Sequence, residues 1–97
     1  MKKLIKALKL CAQAHGLEPF VSEEGDQFYV LSCNIPTAAD IQSIVAGFTG
    51  SNAPVEADFN HGWITVFLNQ CQILPKEQIN WMVIQMALPY GTIIPEP

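Results

Sequence analysis

The chain contains no arginine, and only 14% of its 97 residues are charged, against roughly 25% in an average soluble domain. Without Arg there is no planar fork for bidentate contacts to phosphate or guanine, and a net charge of −4 with a pI near 4.9 disfavours polyanions. Nucleic acid therefore ranks low among the expected partners. No apolar run approaches the 18 or so residues that span a bilayer, so no membrane span is expected. There is no C-x-x-C, no glycine-rich phosphate loop and no local catalytic signature. Cys11, Cys33 and Cys71 are odd in number and far apart, which fits reduced, buried thiols in a cytosolic protein. Met1-Lys2-Lys3 followed by Ala12-Gln13-Ala14 has the outline of an export signal, but Lys6 and Lys9 interrupt the apolar stretch such a signal requires.

What is present is unevenly distributed. Lys2, Lys3, Lys6 and Lys9 lie in the first nine positions, while all nine acids and Lys76 follow. Such a split makes a dipole of a basic helix and an acidic body, and it favours partners of opposite charge. At 49% hydrophobic residues and a mean hydropathy of +0.21, the chain is richer in apolar residues than an average domain, so some apolar surface is expected to face another chain.

From Lys2 to His15, Leu4, Ile5, Leu8, Cys11, Ala12 and His15 recur at helical spacing, with Lys2, Lys6, Lys9 and Gln13 opposite. Pro19 to Asn34 reads as a hairpin turning at Glu23-Glu24-Gly25-Asp26. A helix capped by Thr37 follows, with Ile41, Ile44, Val45 and Phe48 on one face. The second hairpin joins Val55–Phe59 to Trp63–Leu68 around Asn60-His61-Gly62. A three-residue loop would place Phe59 opposite Trp63 and put Val55, Ala57, Phe59, Trp63, Thr65 and Phe67 on one face; a two-residue loop at Asn60-His61 would group Val55, Ala57 and Phe59 with Ile64, Val66 and Leu68. In either register the second strand is apolar on both faces. A last helix is expected from Pro75 to Leu88, with Ile79, Met82, Val83 and Met86 on one stripe and Trp81, Ile84 and Leu88 on another. The expectation is one α+β domain over residues 1–97, an opening helix and two β-β-α units forming a sheet of about four antiparallel strands, with 90–97 an extended Pro-containing tail. A weak similarity at an offset of 38, Cys33 with Cys71 and Ile41 with Ile79 among its pairs, agrees with the repeated unit.

The candidate partner-binding residues are Trp63 and Trp81, with Ile84 and Leu88 as an apolar patch, Glu56 and Asp58 as an acidic pair, and Lys2, Lys6 and Lys9 as a basic face. If Trp81, Ile84 and Leu88 face outward, a homodimer is one way to cover them. His15 is read as packing at a helix end and His61 as a turn residue, neither with a local thiol or carboxylate at metal-ligand spacing, so no metal set, catalytic residue or cofactor is assigned. A small enzyme or ligand-binding domain would need a site near His61 and Cys71, which only tertiary structure can bring together.

The order helix, hairpin, helix, hairpin, helix in a small acidic chain is similar to that of type III secretion chaperones, which dimerise and hold extended effector segments. The likeness covers element order only and assigns no residue a role. By composition the chain is also similar to small acidic inhibitor proteins of phages and mobile elements, such as anti-CRISPR proteins. Both resemblances imply the same class: a cytoplasmic, non-enzymatic domain that acts by protein–protein contact as an adaptor, chaperone or inhibitor, with a basic protein as the favoured partner.

Overall fold

The computed structural model describes residues 1–89 and Thr92. It has the expected α+β order: α1 (Lys2–Ala14), β1 (Pro19–Val21), β2 (Gln27–Leu31), α2 (Ile35–Thr49), β3 (Val55–Asp58), β4 (Trp63–Phe67) and α3 (Trp81–Met86). Two 3₁₀ turns, Leu68–Gln70 and Lys76–Gln78, lie between β4 and α3. The tail expected at 90–97 falls outside the described residues except for Thr92.

The helical spacing in α1 buries Leu4, Ala7, Leu8, Cys11 and Ala12 and leaves Lys2, Lys6, Lys9 and Gln13 exposed. The strands form one antiparallel sheet in the order β1-β2-β4-β3, so β2 and β4 are central. In β3–β4, Val55 pairs with Val66, Ala57 with Ile64 and Asp58 with Trp63, the register of the Asn60-His61 alternative, but pairing stops at Asp58, so residues 59–62 form a four-residue turn and Phe59 does not join Val55 and Ala57. Asp58 selects it: one carboxylate oxygen accepts from the backbone N–H of Asn60 at 3.0 Å and of His61 at 3.2 Å, tightening the turn before Gly62 at φ +72°. Directly opposed residues share a face, so this register places Phe28, Val30, Ile64 and Val66 together, all fully buried with the apolar sides of α1 and α2. Each such side chain contributes roughly 1.5–3 kcal/mol by leaving water.

Two helix starts differ from expectation. Asn34, not Thr37, caps α2: its Oδ1 accepts from Thr37 N–H at 3.0 Å and from Thr37 Oγ1 at 2.7 Å, so the threonine hydroxyl is a buried donor. The last helix begins at Trp81 rather than at Pro75, because Pro75 (ψ 144°) and Ile79 (ψ 132°) are extended and Asn80 Oδ1 caps Val83 N–H. That segment bonds along the end of α2, Leu74 N–H to Phe48 O and Asn80 N–H to Gly47 O, each at 2.9 Å. Tertiary pairing thus overrides a proline that would have suited a helix start. The caps Asn34 and Asn80 are also out of step with the 38-residue offset, and Ile44 is buried where its counterpart Met82 is exposed, so the repeat holds for element order and not for residue positions.

The stripes of α3 are reversed relative to expectation. Ile84 and Leu88 are buried in the chain's own core, while Met82 and Met86 are 73% and 79% exposed. Gly47 is the physical reason, since without a side chain it lets Ile84 pack directly on the α2 backbone. Trp81 is half-buried, edge-on to Phe48 with ring centroids 5.6 Å apart, and the Lys3 ammonium lies 5.7 Å from its ring centre.

Candidate functional site

The sheet face opposite the core carries Phe20, Tyr29, Leu31, Trp63, Thr65 and Phe67, with Glu56 and Asp58 at the β3 side. Phe20 and Tyr29 stack with centroids 5.2 Å apart, and all these aromatic rings stay partly exposed. Leu31 is 53% and Phe59, in the β3–β4 turn, 51% exposed. The alternation that sends Phe28, Val30, Ile64 and Val66 inward necessarily sends their neighbours to this side. Soluble sheets ordinarily make such a face polar; here two central strands supply large apolar groups instead. Trp63, Glu56 and Asp58 from the predicted set converge on it, lining a shallow groove with Ala57, Phe59 and Asn60.

The other predicted residues are elsewhere. Ile84 and Leu88 are inside the core and unavailable to a partner. Lys2, Lys6 and Lys9 project from α1, with Ile5, Leu10 and Gln13 between them. Lys76 folds back to the same end of the molecule, so Lys2, Lys3 and Lys76 meet around a cavity of about 400 Å³ lined by Leu4, Phe48, Leu74 and Trp81. The sequence placed Lys76 with the acidic body; the structure moves it to the basic pole.

His61 and Cys71 are not brought together. They flank opposite ends of β4, and Cys71 donates weakly to the Phe67 carbonyl at 3.5 Å, with burial raising its thiol pKa. His61 Nδ1 instead meets Asp58 Oδ2 at 2.8 Å on the exposed turn. The His61 side-chain bond lowers the Asp58 pKa, opposed by desolvation and helped by the His61 and Asn60 backbone donors of the turn. This pair organises the turn.

A second group of reactive side chains was missed by the sequence reading. Cys11 and His15 are one helical turn apart on α1, and α2 brings Asp40 to them, with His15 Nε2 2.9 Å from Asp40 Oδ2. One donor atom from each of Cys11, His15 and Asp40 lies within 4.8 Å of the other two. Cys11 is fully buried and its thiol is pushed up to about 12, first by desolvation and then by the nearby Asp40 carboxylate and Cys33. Cys33, also raised by burial, donates to the Asn34 carbonyl at 3.2 Å. The signal in the sequence was the C-x-x-x-H spacing, which puts two ligand-type side chains on one helix face.

No protein family, curated protein or solved structure matches the chain. Among the described residues, no helix is long and apolar enough to cross a membrane.

Proposed function

We propose that this chain acts by binding another protein through the open face of its sheet, as an adaptor or inhibitor without a reaction of its own. One observation carries the reading: the exposed face of β2 and β4 presents Tyr29, Leu31, Trp63 and Phe67 where a solvent-facing sheet would be polar. Rigid aromatics on a sheet provide large contact area at little conformational cost, which is why they dominate interface energetics. Glu56 and Asp58 border this surface, so the fitting occupant is an apolar polypeptide segment bearing Lys or Arg. The buried thiols agree with a cytosolic setting.

Affinity capture from the native host, followed by binding measurements with the purified partner, tests this. Trp63→Ala and Leu31→Ser should each weaken the complex by about tenfold or more, equivalent to about 1.4 kcal/mol, with circular dichroism unchanged. A partner whose affinity ignores both substitutions and responds to changes around Trp81 would place recognition elsewhere.

A further inference from the structure

We propose that Cys11, His15 and Asp40 form a binding site for a divalent transition-metal ion of the zinc class, tying α1 to α2. The three donors arise from separate constraints, helical spacing for the first two and helix packing for the third, yet converge within 4.8 Å. Around a tetrahedral ion with bonds of about 2.0–2.3 Å, ligand atoms stand roughly 3.3–3.8 Å apart, so the donors, all within 4.8 Å of one another, lie close to a coordinating arrangement. Cys11, buried by the apolar face of α1, thereby brings a sulfur donor to the His15–Asp40 pair. Sulfur and nitrogen donors select a borderline ion over calcium or magnesium, which take oxygen ligands. The His15 and Asp40 side chains are 25% and 39% exposed, which gives an ion a path from solvent and leaves the fourth position to water. Coordination of an ion would take the place of the Cys11 thiol proton, so binding should release a proton and weaken as pH falls.

The test uses the reduced, chelator-treated full-length protein with cobalt(II) as the spectroscopic probe and zinc(II) as the competitor. One equivalent of cobalt should produce thiolate-to-metal charge-transfer absorption in the near ultraviolet, and zinc should abolish it while raising the thermal midpoint by about 4 °C or more. Because Cys11 is in the core, the decisive variants are His15→Gln and Asp40→Asn at partly exposed positions. Each should weaken binding by more than the 10–100-fold typical of losing a group that only orients a ligand. His61→Gln should bind as the wild type does. Absence of the charge-transfer band overturns the proposal, as does wild-type affinity in both His15→Gln and Asp40→Asn, or loss of binding in His61→Gln.

Discussion

At the scale of single residues, Gly47 shows how tertiary contact inverts a local preference. Glycine within a helix normally costs about 1 kcal/mol relative to alanine, so Gly47→Ala would be a stabilising change in an isolated helix. Here an added Cβ would stand 2.6 Å from Ile84 Cγ1 and 3.1 Å from the Asn80 carbonyl oxygen, and Asn80 is itself bonded to the Gly47 carbonyl. Neither neighbour can yield without shifting α3, so Gly47→Ala is expected to destabilise by about 1–3 kcal/mol in urea denaturation. The turn residue Asp58 makes a pH-dependent contribution. Its pKa is lowered in the folded chain, chiefly by the His61 side chain, so its stabilising effect is complete above the ordinary carboxylate value of 3.8 and is lost as pH falls through the lower folded value. NMR should show the amide resonances of Asn60 and His61 shifting in that acid window, and Asp58→Asn should abolish the titration. The three cysteines should differ in reactivity under native alkylation. Cys71 is only half-buried and should be labelled first, whereas Cys11 should react at the rate of unfolding.

At the scale of elements, α3 is the part that sequence patterning described least well. Ile84→Ala is expected to cost about 2–5 kcal/mol and Asn80→Ala about 1 kcal/mol, while Met82→Gln and Met86→Gln should stay within about 0.5 kcal/mol of the wild type. The opposite ranking would restore the stripe assignment based on Trp81, Ile84 and Leu88 as an outer face. Two apolar stripes on a helix say that both sides can be buried, but not which side meets the core; Gly47, some 35 residues away, decides it. The first helix, both hairpins and the helix on Ile41, Ile44, Val45 and Phe48 were legible because their periodicities and turn residues agree locally. The hairpin register could be narrowed to two but not chosen, since the choice goes with a four-residue turn into which the Asp58 side chain bonds. For the candidate sites, alternation in β4 already showed a second apolar face, though not that it would remain open. The Cys11–His15 spacing was equally visible, but its third member, Asp40, comes from another helix and becomes apparent only when α1 and α2 pack.

At the scale of the whole molecule, charge and apolar exposure are arranged in opposition. Lys2, Lys6 and Lys9 extend from α1, and the fold adds Lys76 beside Lys2, whereas Glu56 and Asp58 border the open sheet. A homodimer built on Ile84 and Leu88 has lost its basis, because those side chains fill the protomer's own core. One built face to face on the sheet would join two copies that each carry a net charge of −4, so light scattering at low salt should find a monomer at micromolar concentration. The same opposition separates the two poles as sites of recognition. If a cationic polypeptide docks on the sheet, Glu56→Gln should weaken its binding at low salt, mainly through a slower association rate, and the difference should shrink as salt screens the pair. The triple change of Lys2, Lys6 and Lys9 to Gln should leave that affinity unchanged and folding intact or slightly improved, since lysines near the start of a helix oppose its dipole. Surface plasmon resonance across a salt series distinguishes the poles. A salt-dependent loss in the lysine variant, with Glu56→Gln behaving as the wild type, would transfer recognition to the basic pole and identify the partner as acidic.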